Sequence, residues 1–214
     1  MAFGFSCPLY PIVDDGDPSR SPLLLAEQVL GCGVPLLQLR LKFAATRAFV
    51  EMGRELRQRC SQAGALLIIN DRCDIAKLVG ADGVHLGQDD LAPADARAIL
   101  GPGAVIGFST HNHAQLANAV RDDACDYLAF GPVFATASKR DPDPATGLDA
   151  LRDAVAACDQ PLVAIGGIGR ESLTDVLACG AAAAAVIGAI TNAPDPAVAT
   201  RDLLIRAQYG TRSP

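Results

Sequence analysis

Eight short apolar runs recur along the chain, and amphipathic segments such as 46–64 and 171–180 lie between them. Several of these segments end in glycine, as helices commonly do. Alternating strands and helices predict a parallel sheet. A count of eight predicts an α/β fold with a single-domain TIM barrel over residues 1–214, and a doubly wound open sheet is the alternative. The runs span residues 8–13, 35–42, 65–71, 83–88, 104–110, 127–133, 161–167 and 183–189.

The second run, "PLLQLRLK", ends in alternating polar and apolar residues. Because a strand has a period of two, Gln38, Arg40 and Lys42 share one face, and Leu39 and Leu41 share the other. Functional side chains of a barrel lie at the carboxyl ends of its strands. We therefore expect the polar face to point into the barrel mouth, where its two cations favour an anionic ligand. An edge strand of an open sheet would show the same alternation.

The third and fourth runs lead directly into acidic residues. Asn70 and Asp71 end the third run, and Gln88, Asp89 and Asp90 follow the fourth. Adjacent strands lie roughly 5 Å apart, so carboxylates at their ends repel each other unless a cation lies between them. Carboxylate oxygens beside a phosphate ligand suit Mg²⁺. The alternative is that Asp89 or Asp90 caps the next helix.

The fifth and sixth runs lead into hydroxyl-rich segments. Ser109 and Thr110 end the fifth run, and Thr110 is the better candidate for capping the next helix. Segment 134–146 combines hydroxyls with a lysine, a set that can hold a pyrophosphate, although an ordinary surface loop has a similar composition. We expect this segment to cover such a ligand. Its polar residues are Thr136, Ser138 and Lys139.

Glycines end the seventh and eighth runs. Gly166 and Gly167 follow one, and Gly188 lies at the end of the other. Glycine lets backbone amides approach a ligand closely, and a phosphate site after strands seven and eight recurs in TIM barrels. The first strand–helix turn lacks the G-x-G-x-x-G pattern, which argues against a Rossmann dinucleotide site.

Charge and cysteine content exclude other classes. A net charge of −6 and a pI of about 4.9 argue against a protein that binds a nucleic-acid backbone. Seven scattered cysteines without a C-x-x-C pair favour reduced thiols in the cytoplasm over a disulfide framework or a zinc site. The most apolar stretch, 179–190, is too short to span a bilayer, so we expect no membrane partner.

Together these motifs resemble the thiamine-phosphate synthase (thiamine-phosphate pyrophosphorylase) family. The matching pieces are "QLRLK", "ND", "GVHLGQDDL", "IGFSTH", "GPVFATASK" and "AIGGI", and they cover nearly the whole chain. The resemblance implies a TIM barrel that joins two small-molecule substrates. Hydroxymethylpyrimidine pyrophosphate loses pyrophosphate through a carbocation-like state, and the nitrogen of a thiazole monophosphate attacks to give thiamine phosphate. The oligomeric state is left open, and a homo-oligomer is allowed.

The resemblance also implies roles for individual residues. Asp71 and Asp90 would hold Mg²⁺. The expected catalytic residues are Arg40, Lys42, Ser109 and Lys139. The residues expected to contact the pyrimidine and its pyrophosphate are Gln38, Arg40, Lys42, Asn70, Ser109 and Lys139. The residues expected on the thiazole phosphate side are Thr136, Ser138, Gly167, Ile187 and Gly188.

The chain departs from the family pattern at a few positions. Leu41, Ala135 and Ser138 replace residues that are common there. Gly188 stands where serine is frequent, so one hydroxyl contact to phosphate would be missing.

Two other functions share this barrel. A thiazole tautomerase would use His111 as its acid and base, and a non-catalytic regulator would only bind a phosphate from the thiamine pathway. Neither needs Asn70, Asp71 and Asp90, so these residues favour the synthase. His85 lies mid-strand, and its role is open between a packed core histidine and a polar contact beneath the metal site.

Overall fold

A computed structural model describes residues 3–136 and 143–210 of the chain. Eight parallel strands close into a barrel in sequence order, and β1 pairs with β8 through Leu9 opposite Ala184. This pairing confirms the predicted TIM barrel and excludes the open sheet. The strands are β1 Leu9–Asp14, β2 Leu36–Arg40, β3 Leu66–Asn70, β4 Gly83–Leu86, β5 Val105–Thr110, β6 Tyr127–Phe130, β7 Leu162–Ile165 and β8 Ala183–Val186.

Helices follow the strands and cover the outside of the barrel. Glycines in the left-handed conformation end α2 and α3, at Gly64 and Gly80, as the sequence indicates. None of the described helices is long and apolar enough to cross a membrane. The helices are α1 Pro22–Leu30, α2 Thr46–Ala63, α3 Cys73–Val79, α4 Pro93–Leu100, α5 His113–Ala119, α6 Gly147–Ala156, α7 Leu173–Ala178, α8 Gly188–Thr191 and α9 Pro196–Gly210.

The strands separate two hydrophobic clusters because their side chains alternate between the two faces of the sheet. Leu37, Leu39 and Leu41 belong to the large cluster between sheet and helices. Leu36 belongs to the smaller cluster inside the barrel. Gln38 is buried on the same inward face, as the alternation in "QLRLK" predicts.

The interior cluster is aromatic at its centre. Tyr10 and Tyr127 are fully buried there, with their hydroxyl oxygens 2.9 Å apart. Phe3 and Phe5 precede β1, and both pack their rings against Tyr127. These rings fill the barrel at the end where the strands begin, opposite the carboxyl ends.

Residues 137–142 lie outside the described ranges. The predictions made for Ser138 and Lys139 therefore concern residues that the structure does not describe. The same holds for residues 137–142 of segment 134–146, which we expected to cover a ligand.

Candidate active site

Two adjoining cavities open at the carboxyl ends of the strands. Their volumes are about 810 and 330 Å³, and they share part of their lining. The larger cavity contains the acidic and basic residues predicted from the ends of β2, β3 and β4. The smaller one reaches the glycines after β7 and β8. Residues that line both cavities include Arg40, Asn70, Ser109, Ile187 and Gly188.

Arg40 is paired with an acid that the sequence analysis did not single out. Its Nη1 lies 3.4 Å from Oδ2 of Asp14, at the end of β1. Asp14 is only 6% exposed, and this burial raises the pKa of its carboxyl group, while the nearby Arg40 lowers it. Because β1 and β2 pair with Asp14 opposite Arg40, the register of the barrel itself places the acid beside the guanidinium.

Asp71 occupies a strained turn at the end of β3. Its φ is +63°, and it is the one non-glycine residue with a positive φ in the described ranges. The amide of Arg72 donates to the carbonyl of Asn70 at 2.8 Å, which makes Asp71 the central residue of a γ-turn. The amide of Asp71 donates to the carbonyl of His85 in β4 at 2.8 Å. Strained non-glycine residues cluster at functional sites, and this turn places the Asp71 carboxylate on the large cavity.

Lys42 and Asp90 converge on Asp71. Lys42 Nζ lies 2.5 Å from Asp71 Oδ2. Burial raises the pKa of the Asp90 carboxyl group, and the adjacent Asp71 raises it further by hydrogen bonding and charge repulsion, whereas Lys42 lowers it. The two carboxylates are therefore neighbours, as expected from adjacent strand ends, and a lysine ammonium lies close to both.

The alternative prediction that Asp89 or Asp90 caps helix α4 is wrong. Helix α4 begins at Pro93, and its N-cap residue Ala92 makes no side-chain cap. Asp90 Oδ2 instead accepts a hydrogen bond from the amide of Gly87 at 2.7 Å. This bond holds the β4–α4 turn so that the Asp90 carboxylate lines the large cavity.

Asp71 and Asp90 fit a magnesium ion by their chemistry. Magnesium sites commonly use one or two carboxylates and complete their six-fold shell with water and substrate phosphates. The part of the chain that the structure describes holds no group of three or more His, Cys, Asp or Glu residues suited to a metal. Two carboxylates on an open cavity match a magnesium site that shares its ion with a phosphate ligand better than a closed all-protein site.

Asp15 holds the loop that carries Lys42. The sequence analysis did not identify Asp15 as a residue of the site. Its Oδ1 accepts a hydrogen bond from the amide of Lys42, and its Oδ2 accepts from the amides of Phe43 and Ala44, each at 2.9 Å. The β1–α1 loop therefore fixes the β2–α2 loop. Asp15 follows β1 in "VDDGD", but a sequence pattern does not show which backbone amides a carboxylate meets across the barrel.

Glycine is required at two positions after β7 because of packing, which the sequence pattern does not show. Gly167 has a φ of +65°, and a Cβ added there would lie 2.4 Å from the carbonyl oxygen of Ala135. A Cβ at Gly166 would lie 2.3 Å from Cβ of Pro132. Glycine is therefore needed because segment 132–135 packs directly on this turn. Both glycines also line the smaller cavity, together with Thr136. The prediction that a ligand contacts the backbone of this turn therefore stays a prediction.

Asn192 lies where the family pattern places a serine side chain. A Cβ added at Gly188 would lie 3.1 Å from Nδ2 of Asn192. Asn192 lies one helical turn after Gly188, and its backbone N–H donates to the carbonyl of Gly188 at 3.0 Å. Its side chain lines both cavities, so this chain presents a carboxamide close to the missing hydroxyl.

Ser109 and Gln38 each contact a buried polar side chain. Ser109 Oγ lies 2.8 Å from Nε2 of His85, and Gln38 Nε2 lies 2.9 Å from the hydroxyl of Tyr10. His85 also lies 2.9 Å from the hydroxyl of Tyr127 through Nδ1. His85 is therefore the polar contact beneath the site, one of the two roles that the sequence left open.

His111 and Thr110 follow at the end of β5. His111 lines the smaller cavity, with Nδ1 2.8 Å from the carbonyl oxygen of Gly131 and 3.6 Å from Asp143. The expectation that Thr110 caps α5 is wrong, because Asn112 is the N-cap and accepts from the amide of Gln115. The Thr110 hydroxyl donates to the carbonyl of Ala129.

Comparison with known proteins places this site in a family. Residues 9–190 match the family model of thiamine monophosphate synthase. A thiamine-phosphate synthase of Chlorobium phaeovibrioides is 42% identical over 194 residues, which cover 91% of this chain and 92% of that protein. One of Koribacter versatilis is 46% identical and covers 87% of this chain and 90% of that protein. A thiamine biosynthesis bifunctional protein of Symbiobacterium thermophilum is 47% identical over 196 residues, but the match covers only 40% of it.

A solved structure agrees with these relatives. The thiamine phosphate pyrophosphorylase from Pyrococcus furiosus superposes with a TM-score of 0.85 and is 32% identical. The match covers 95% of this chain and 97% of that one.

Asp15→Ala should lower the free energy of unfolding by about 1–3 kcal/mol, because up to three backbone amides lose their acceptor. Asp15→Asn should recover part of the loss, since its amide oxygen still accepts hydrogen bonds. Urea denaturation of both variants measures the effect, with Asp153→Ala on the exposed face of α6 as the control. Equal stability of Asp15→Ala and the control would contradict the role given to Asp15.

Proposed function

Because the chain belongs to the thiamine monophosphate synthase family, we propose that it condenses hydroxymethylpyrimidine pyrophosphate with thiazole monophosphate to give thiamine phosphate and pyrophosphate. It is a transferase of thiamine biosynthesis. The convergence of Lys42, Asp71 and Asp90 on one cavity carries this proposal. A cation close to two carboxylates, in a cavity that Arg40 also lines, suits a pyrophosphate that arrives with magnesium.

The expected reaction is a dissociative substitution. The bond from the pyrimidine methylene carbon to the pyrophosphate oxygen breaks first, and the aminopyrimidine ring delocalises the resulting cation. The thiazole nitrogen then donates its electron pair to the methylene carbon. The protein needs no nucleophile of its own, because its task is to stabilise the leaving group and to hold the thiazole in line.

Arg40 and Lys42 would bind the pyrophosphate, and Asn70 would donate a hydrogen bond to it from the end of β3. When bound, Mg²⁺ would neutralise the negative charge that develops on the leaving pyrophosphate. Asp71 and Asp90 would hold the ion, and Lys42 would then be released from Asp71 to contact phosphate oxygens. The roles proposed for Ser138 and Lys139 concern residues outside the described ranges.

The phosphate of the thiazole substrate would lie in the part of the smaller cavity that is lined by glycines, and the pyrimidine ring would lie beside Gln38 and Ser109 in the same cavity. Thr136, Gly167, Ile187 and Gly188, which the resemblance assigns to the thiazole phosphate, line the smaller cavity. Arg40 and Asn70 line both cavities, so the two substrates would meet at their junction. In this proposal the phosphate would lie at the glycine turns and the pyrophosphate would lie at the carboxylates.

The tautomerase and regulator alternatives explain less of the site. His111 is within reach of a ligand in the smaller cavity, as a tautomerase would need. Neither alternative uses the neighbouring carboxylates Asp71 and Asp90. These two groups repel each other unless a cation lies close to both. A cytoplasmic location and self-association remain predictions; the seven cysteines are all free thiols, which suits a reducing compartment.

The purified protein should form thiamine phosphate and release pyrophosphate when both substrates and Mg²⁺ are supplied. Omitting either substrate or chelating the metal with EDTA should abolish product formation. Chromatography of thiamine phosphate and a coupled pyrophosphate assay measure the two products. Rearrangement of the thiazole alone, without pyrophosphate release, would favour the tautomerase; binding of either phosphate without turnover would favour the regulator.

Asp71→Asn should reduce turnover about 10²-fold or more at saturating Mg²⁺, because the metal loses a charged ligand. Asparagine tolerates a positive φ, so the turn should persist. The melting temperature should stay near or above that of the wild type, since repulsion with Asp90 is relieved and the ion pair lost involves a Lys42 side chain that is 44% exposed.

Steady-state kinetics and thermal melts of Asp71→Asn are compared with those of Asp74→Asn, a matched change in the first turn of α3 that weakens an exposed pair with Arg72. The control should keep normal turnover. Near-normal turnover of Asp71→Asn at saturating Mg²⁺ would refute the metal assignment.

Asn192→Ala should raise the KM for thiazole monophosphate about tenfold, the value of one hydrogen bond to a charged group, and leave the KM for the pyrimidine substrate unchanged. Adding Gly188→Ser to this variant should restore affinity, because the hydroxyl then occupies the space that the carboxamide left. Gly188→Ser alone should gain little, since Asn192 must first move aside. Additive effects of the two changes would show that the side chains do not share one phosphate contact.

A further inference from the structure

A line of hydrogen bonds crosses the inside of the barrel and joins two residues of the candidate site. Gln38 Nε2 lies 2.9 Å from the Tyr10 hydroxyl, which lies 2.9 Å from the Tyr127 hydroxyl. Tyr127 lies 2.9 Å from Nδ1 of His85, and Nε2 of His85 lies 2.8 Å from Ser109 Oγ. We call these five side chains the barrel chain. It runs from β2 through β1, β6 and β4 to β5.

The distances allow two directions of donation along the barrel chain, and we infer the one that the Gln38 amide sets by donating to Tyr10. The Gln38 amide donates to Tyr10, so the Tyr10 proton goes to the oxygen of Tyr127. In that direction Tyr127 donates its own proton to Nδ1 of His85, which lies 2.9 Å away. A neutral histidine that accepts at Nδ1 carries its proton on Nε2, and it therefore donates to Ser109.

This direction leaves opposite groups free at the two ends. Gln38 uses its NH₂ group within the chain and keeps its carbonyl oxygen as an acceptor. Ser109 accepts from His85 and keeps its hydroxyl proton as a donor. Both side chains line the smaller cavity, so a ligand there meets an acceptor and a donor at set positions.

The surroundings keep the barrel chain in place. Tyr10 and Tyr127 are completely buried, and burial raises the pKa of both phenols, so they stay protonated at neutral pH. The ring of Tyr127 stacks on that of His85 at a centroid distance of 5.5 Å. A Cβ at Gly107 would lie 2.1 Å from Cζ of Tyr127, so the absence of a side chain there makes room for the ring.

We infer that Tyr10, Tyr127 and His85 are positioning residues that give Gln38 and Ser109 opposite hydrogen-bonding roles and thereby select an aminopyrimidine. The inference rests on the proposed function, because it deepens recognition of the pyrimidine substrate. An aminopyrimidine edge offers an amine donor, which suits the Gln38 oxygen, beside a ring nitrogen acceptor, which suits the Ser109 hydroxyl. A 4-oxopyrimidine edge offers an acceptor beside an N–H donor.

An oxo analogue could bind in the same pose only if the whole barrel chain reversed. The Gln38 amide would have to flip, both phenol protons would have to turn, and the proton of His85 would have to move from Nε2 to Nδ1. Sites that match hydrogen bonds in this way discriminate strongly, because the wrong ligand leaves buried polar groups unpaired. Selection is therefore a property of five linked side chains, of which Tyr10 and Tyr127 line neither cavity.

The first test reads the state of His85 without any turnover. In ¹⁵N NMR spectra of the whole protein at neutral pH, His85 should show an unprotonated Nδ1 and a protonated Nε2. Its signal is assigned by its loss in His85→Gln. Tyr127→Phe removes the donor to Nδ1 and should shift the tautomer equilibrium. A wild-type His85 that is protonated on Nδ1 would overturn the inference, whether or not the protein has the proposed activity.

The second test measures discrimination. Tyr127→Phe should raise the KM for the aminopyrimidine pyrophosphate about tenfold. It should also reduce the preference for the aminopyrimidine pyrophosphate over its 4-oxo analogue by a similar factor. The KM for thiazole monophosphate should stay unchanged. His85→Gln keeps a donor near the position of Nε2 and should retain more of the preference than His85→Leu, which has none.

Thr200→Val is the matched control. It removes a buried hydroxyl that donates to the carbonyl of Pro196 in α9, away from the barrel chain. Its melting temperature should fall, but its substrate preference should not change. If Tyr127→Phe lost stability and kept the wild-type preference, the barrel chain would be structural only and the inference would be wrong. If the wild type formed no thiamine phosphate, the proposed function would fail, while the NMR result would still report on the barrel chain.

Discussion

Closure of the sheet between β1 and β8 is the constraint on which the rest of the molecule depends. A closed parallel barrel has no edge strand, so every strand must place one face against the helices and the other against the interior. It also brings the carboxyl ends of all eight strands to one rim. Residues that are more than one hundred positions apart, such as Asp71 and Gly188, therefore line one cavity.

The rim is held by contacts between neighbouring loops rather than by the strands alone. Asp14 pairs with Arg40, and Asp15 binds the backbone of the next loop at Lys42. Asp71 is fixed by the carbonyl of His85 on the adjacent strand. Arg40, Lys42 and Asp71 are thus each positioned by a residue one strand away. This arrangement explains why a carboxylate can be held in a strained turn close to another carboxylate.

The sequence predicted the barrel and the location of the polar rim because both depend on local patterns. Period-two alternation placed Gln38 inside and Leu39 outside, and the abrupt end of β3 indicated Asp71. The sequence did not reveal the roles of Asp15 or Asn192, since their contacts depend on the register between strands and on the space that a distant glycine leaves. The capping role expected of Thr110 was wrong because Thr110 still belongs to β5 and Asn112 is the N-cap of α5.

The aromatic rings before β1 have a consequence for water. Phe5 packs 5.8 Å from the ring of Tyr10 and 5.3 Å from that of Tyr127, at the end of the barrel opposite the cavities. Both phenol protons are therefore shielded from solvent on that side. Exchange with water from that side requires either that the Phe3–Phe5 segment opens or that the interior loosens. Exchange of these two protons from the closed end of the barrel would therefore report how often that end opens locally, as distinct from unfolding of the whole chain.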